Sequence, residues 1–306
     1  MKQNQCRYPA TPVLFKKNLF LLCLPVLILV SCRKQAATSQ SLPLNREVAA
    51  TDVTASAIYS NQTINWENRT NMSTYTAAQA AADFGNVSGW VDSRGYISNG
   101  NGGGNSCRVT LLPNALSAAG GIVANTDISD GSAYEMDYDV KFHSQFNWGR
   151  GGKVGFGFRV GEGNTGGDPG WDGNGGSLRL MWYSPNSNPD RVYFQPYLYY
   201  KDQPGQYGDS FGKSYPSSGA LEKGHWYHVH LYIKSNTGSN TDGHVQIVID
   251  GTIILDRDIR WTTNDNQRLV KTMSFHTFRG GSSLTDWGVS TTDYIYYDNL
   301  VIHKIN

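Results

Sequence analysis

From Tyr134 to Phe142 the side chains alternate without a break: Tyr134, Met136, Tyr138, Val140 and Phe142 are apolar, and Glu135, Asp137, Asp139 and Lys141 between them are charged. A period of two predicts a β-strand with one face buried and one in water. Similar stretches follow at 153–160, 177–183, 191–200, 226–234, 244–250, 252–258, 271–278 and 293–303. Between two of them, Asp250-Gly251 within "IDGTII" predicts a hairpin with a type I′ turn. One segment, "TYTAAQAAADFG", has helical character: Thr76 is placed to cap, Gln79 to complete a capping box and Gly85 to stop the helix. With 34 glycines and 12% aromatic residues around these strands, the pattern predicts an all-β fold. Its expected form is a two-sheet antiparallel β-sandwich, a jelly roll, with one short N-terminal helix.

One strand breaks the pattern. In "GGSLRLMWYS" Leu178, Leu180 and Trp182 form an apolar face, and Arg179 sits on the other face between Ser177 and Met181. An unpaired guanidinium is too costly to bury in a sandwich core, so Arg179 must meet water, a carboxylate or an anionic ligand.

The first residues are basic, then apolar from Leu19 to Val30, and end in Leu29-Val30-Ser31-Cys32. That stretch is shorter than the ~20 apolar residues of a membrane-crossing helix and reads as a secretory signal. It resembles a bacterial lipoprotein signal, which implies cleavage after residue 31 and lipidation of Cys32. The expected organisation is a signal over 1–31, a lipidated Cys32 with a flexible tether over 32–62, and one β domain over 63–306. The expected location is the bacterial cell envelope, anchored to a membrane and either periplasmic or surface-exposed.

Removing the signal takes four basic side chains and no acidic one from the 26 basic and 25 acidic of the whole chain, leaving 22 against 25. Such a balance argues against a nucleic-acid partner and requires any bound anion to be met by local cations. Cys6 and Cys23 leave with the signal and Cys32 would carry lipid, so Cys107 remains without an intrachain disulfide partner.

The blocks "FNWGRGGKVGFGF", "GWDGNGGSLRLMW", "YLYYKDQPGQYGDSFG", "GHWYHVHLYI", "VQIVIDGTIIL" and "SFHTFRGGSS" with "DWGVSTTDYIYYDNLVI" occur in that order. From about Ser106 to His303 the chain resembles polysaccharide lyase family 14, whose members are jelly rolls that cut alginate or polyglucuronate by β-elimination. The resemblance implies a monomeric lyase acting on an anionic uronate polymer, without a cofactor or metal. It assigns catalytic roles to Lys153, to Ser177 and Arg179, and to Tyr197 and Tyr199. Tyr193 and Gln195 compete for the tyrosine positions and are otherwise expected, with His276, to bind substrate.

The chemistry needs such groups. β-Elimination removes the proton beside a uronate carboxylate, so negative charge builds next to a group already negative. A cation about 4 Å away contributes on the order of 4 kcal/mol at an effective dielectric near 20. Arg179 and Lys153 are expected to supply it. Tyr197 and Tyr199, two apart and so on one strand face, are expected to exchange the protons, while Ser177 orients the substrate.

Other readings stand beside this one. A carbohydrate-binding module on the same sandwich would hold glycan without cutting it. Arg179 would in a blander structure pair with Asp137 or Asp139. Glu135, Asp137 and Asp139 resemble, one position out of register, the carboxylates of laminarinase-like glycoside hydrolases. His228 and His230 share a face at a spacing open to a metal, and Asp168, Asp172 and Asn174 lie in a glycine-rich loop open to calcium.

Overall fold

The computed structural model describes residues 60–306. The signal, Cys32 and all but the last three residues of the expected tether lie outside the described residues. In chain order the strands are β1 (Asn61–Ile64), β2 (Val87–Ser88), β3 (Gly95–Asn99), β4 (Asn105–Leu111), β5 (Ile122–Gly131), β6 (Ala133–Phe142), β7 (Gly151–Lys153), β8 (Phe156–Gly161), β9 (Gly175–Tyr183), β10 (Tyr193–Tyr199), β11 (Trp226–Lys234), β12 (Gly243–Ile249), β13 (Thr252–Ile259), β14 (Val270–Arg279) and β15 (Asp293–Lys304). They form two antiparallel sheets. One runs β13-β12-β11-β6-β15-β4-β3 with β1 on β15; the other runs β10-β9-β7-β14-β5-β2 with β8 between β14 and β9.

Alternation builds the core. The inner face of the first sheet contributes Met136, Tyr138, Val140, Leu231 and Ile247, and that of the second contributes Phe156, Phe158, Leu178, Leu180, Trp182 and Phe275, all buried. Aromatic rings lock the layers together: Tyr138 meets Phe156 at 5.2 Å between centroids, and Tyr297 meets Phe275 at 5.0 Å. The helix α1 (Ala77–Phe84) starts in the expected capping box, with Gln79 N–H donating to Thr76 Oγ1 at 3.3 Å and Thr76 N–H to Gln79 Oε1 at 2.9 Å, and it ends at Gly85. Asp250 and Gly251 both take positive φ, 48° and 74°, as a type I′ turn requires, and join β12 to β13.

Three details depart from the sequence pattern. The stretch 153–160 is two strands, because Val154 and Gly155 separate β7 from β8 and Gly155 has φ 79°. β2 to β5 precede the first clean alternation at 134; β4, for one, follows the burial order iBBiBiB, with two consecutive buried residues that blur the period. Finally, the sandwich begins before residue 63: β1 starts at Asn61 and pairs with β15, and Ser60 is fully buried with its Oγ accepting from Ser129 N–H at 2.9 Å.

Candidate active site

The sheet β10-β9-β7/β8-β14-β5 has its second face turned away from the core, and register aligns functional side chains across it. Tyr197 stands opposite Arg179, Tyr199 opposite Ser177, and Gln195 opposite Met181 on β9 and β10. Lys153 on β7 stands opposite Met181 on one side and Phe278 on the other. His276 lies two residues from Phe278 on the same face of β14. A cleft of about 620 Å³ opens over this face, lined by Lys153, Arg179, Gln195, Tyr197, Tyr199 and His276 together with Met181, Tyr207, Phe278 and Trp287.

Lys153 is brought there by glycines. A Cβ on Gly152 would lie 2.1 Å from the Phe278 carbonyl oxygen and 2.3 Å from the Trp182 ring, so only glycine lets β7 press between β14 and β9. Behind it, Arg279 forms a buried 2.7 Å ion pair with Asp293 and donates to the carbonyls of Asn147 and Trp148, which fixes the turn leading into β7. The Lys153 ammonium lies 3.5 Å from the Tyr197 ring centroid and donates to Met181 Sδ at 3.7 Å. Burial, reinforced by the Arg179 charge, pushes its pKa well below the ordinary 10.5.

The Arg179 guanidinium lies 5.4 Å from the centroids of both Tyr197 and Tyr199. Burial draws it down to about 10, against the pull of the two phenols, so it remains a cation at neutral pH. Its Nε and Nη2 have no hydrogen-bond partner among the described residues. These are directed donors without a protein acceptor, which suits a planar carboxylate. Burial first, then Tyr199, raises Tyr197 well above the usual tyrosine range. His276 Nε2–H donates to Asn125 Oδ1, 3.2 Å away. Burial and then Arg179, Arg159 and Lys153 hold its pKa far below 6.5, so the ring is neutral.

Of the expected site residues, Lys153, Arg179, Tyr197, Tyr199, Gln195 and His276 meet in the cleft, and Ser177 and Tyr193 do not line it. Ser177 is fully buried, with Oγ donating to the Asn164 carbonyl at 2.8 Å, so it holds the 162–174 loop. The same loop is tied to the cleft where Gly167 N–H donates to Tyr199 Oη at 2.9 Å. Tyr193 packs edge-on against Tyr183 at 5.8 Å, under Arg191. Met181 and Phe278 were legible as continuations of the Arg179 and His276 strand faces. Tyr207 comes from a loop and Trp287 from the end of a one-turn helix, Leu284–Trp287, and neither carried a periodic signal.

The acidic row belongs to the opposite sheet. Asp137 and Asp139 lie on β6, in the other layer from Arg179, and bind His230 and His228, each at 2.9 Å; Glu135 binds His303 at 3.0 Å. They are neither partners of Arg179 nor part of the cleft. Asp172 bonds Asn174 within its own turn, at 3.1 Å to the backbone N–H, while Asp168 faces Asn164. Among the described residues no three His, Cys, Asp or Glu side chains gather as a metal site.

The family model described as Polysaccharide lyase 14 matches residues 115–300. The structure of alginate lyase Aly36B is 65% identical in sequence, with a TM-score of 0.77 over 81% of this chain and 98% of that one. A doubly substituted Aly36B in complex with alginate trisaccharide gives 0.78 at 64% identity, over 82% and 100%. The PL-14 alginate lyase from Aplysia kurodai shares the fold, with a TM-score of 0.64 at 21% identity over 80% and 99%. No curated protein matches the chain.

Proposed function

Because the chain belongs to the polysaccharide lyase 14 family, we propose that its cleft cuts alginate by β-elimination, with Lys153 as the base. The protein is a polysaccharide lyase of uronate polymers. One observation carries the chemistry: among the described residues the cleft is lined by a guanidinium, a buried amine, phenols and a neutral imidazole, and by no Asp or Glu. A glycoside hydrolase would need two carboxylates there. The alginate oligosaccharide held by the 64% identical relative supports alginate among uronate polymers.

The sequence-based division of labour gave the protons to the tyrosines. Burial favours another division. Lys153, whose charged form is disfavoured, offers a free amine to the proton beside the uronate carboxylate. Arg179, which lines the cleft, binds that carboxylate and stabilises the charge that spreads into it. Tyr197, held protonated, gives its proton to the departing glycosidic oxygen. The resulting phenolate sits beside the Lys153 ammonium, which returns the proton and restores both groups. Tyr199 fixes the 162–174 loop, Gln195 donates to a sugar hydroxyl, and the unprotonated Nδ1 of His276 accepts from one.

Incubation with alginate and with polyglucuronate, followed by ultraviolet absorbance of the unsaturated product, tests the reading. Product from alginate that is lost in Arg179→Ala supports it; binding without unsaturated product would make the domain a carbohydrate-binding module. We also propose that the protein acts as a monomer and that Cys32 carries lipid in the cell envelope. Fractionation tests the anchor: the intact chain is expected with membranes and Cys32→Ser in the soluble fraction.

A further inference from the structure

The outer face of the eight-stranded sheet carries a row that the cleft chemistry does not use. Register places Trp226 (β11) beside Lys141 (β6), Lys141 beside Tyr296 (β15), Tyr296 beside Arg108 (β4) and Arg108 beside Tyr96 (β3). Aromatic ring and cation thus alternate over five strands. The Lys141 ammonium lies 4.4 Å from the Trp226 ring centroid and 4.8 Å from that of Tyr296. The Arg108 guanidinium lies 4.1 Å from Tyr96 and 4.6 Å from Tyr294. All these side chains are half-exposed. His143 stacks on Tyr296 and extends the row at its edge.

Cation–π contact holds both cations in place without neutralising them. Neither Lys141 nor Arg108 lies within salt-bridge distance of a carboxylate among the described residues. Arg108 Nε has no hydrogen-bond partner there. The nearby Asp298 is itself engaged by the backbone N–H groups of Asn101 and Asn299. At about 4.8 Å per strand the row spans roughly 19 Å, and its two cations, two strands apart, stand about 10 Å from each other. An extended 1,4-linked uronate ribbon turns the carboxylate of every second sugar to one side, at a matching repeat.

We propose that this face is a second, non-catalytic site for an anionic polysaccharide, in which Lys141 and Arg108 take carboxylates of alternate sugars and Trp226, Tyr296 and Tyr96 form the ledge beneath. It rests on the reading of the protein as a uronate-polymer lyase, because the same polymer is the ligand. The cleft lies in the other sheet, so the outer site would hold polymer while the cleft cuts.

The test uses two readouts on the full chain. Affinity electrophoresis in gels containing alginate, in an Arg179→Ala background that leaves the polymer intact, reads the outer face. Unsaturated product from an alginate trisaccharide, too short to engage both faces, reads the cleft. Lys141→Gln with Arg108→Gln, and separately Trp226→Ala with Tyr296→Ala, are expected to weaken retention about tenfold. Retention should fall as salt rises, and the same pairs in the otherwise natural chain should cut trisaccharide at an unchanged rate. Unchanged retention in the charge-removed pair, confirmed folded by its melting temperature, overturns the proposal. So does a pair that merely melts earlier while retention stays, because the row is then sheet packing alone. Absence of product with retention intact fails the catalytic reading and leaves this site standing; product with retention unaltered by the variants does the reverse.

Discussion

At the residue scale, Lys153 has the sharpest consequences. Its amine is the proposed base, so Lys153→Met and Lys153→Arg are both expected to lower kcat by about 10²–10⁴, the arginine because a guanidinium does not release its proton. In the natural enzyme the rate should rise with pH through the lowered Lys153 pKa, since only the neutral amine accepts a proton. Stability moves the opposite way on substitution. The folded-state pKa lies below the ordinary 10.5, so the unfolded chain binds an extra proton between the two values and the natural protein loses stability as pH falls through that window. Lys153→Met removes the loss. Its melting temperature is expected to match the natural protein above pH 10.5, to gain on it as pH falls, and to hold a constant lead below the folded pKa. Calorimetry across pH checks this, and a variant melting below the natural protein at neutral pH would contradict the burial argument.

At the element scale the site depends on how closely three strands approach. Gly152→Ala puts a methyl into the Phe278 carbonyl and the Trp182 ring, and overpacking of that kind costs about 1–3 kcal/mol. Because β7 must shift to relieve it, kcat for alginate is expected to fall as well, which chemical denaturation and initial rates on one preparation will show. Much of this was legible beforehand. The period of two at Ser177–Met181 placed Arg179 on the face away from Leu178, Leu180 and Trp182, and the strand residues Tyr197, Tyr199 and Gln195 arrived on their expected face. Ser177 was not separable in the same way: it shares the face, but a loop carbonyl claims its hydroxyl, and loops leave no period in a sequence.

At the scale of the whole molecule, the sandwich closes through the first of its described residues. A chain beginning at Ser60 keeps β1 and the bond from Ser129 N–H to Ser60 Oγ. One beginning at residue 65 loses the pairing of β1 with β15 and is expected to melt several degrees lower. Thermal melting of the two truncations, with alginate cleavage beside it, checks the boundary. The two layers also explain why charged residues of similar pattern do different work. The acids of β6 and the cations of β7 and β9 belong to opposite sheets, with the aromatic core between them.

The sequence by itself determined the strands from β6 onward apart from the break between β7 and β8, the capped helix, the I′ hairpin and the faces on which Arg179 and the tyrosines lie, because alternation and turn chemistry act between neighbours in the chain. Tertiary structure alone decided that Lys153 and Arg179 share a cleft from which Asp137 and Asp139 are excluded, and that Lys153 is driven toward its neutral form. Desolvation depends on what other strands and loops place around a group, and a linear pattern does not record that.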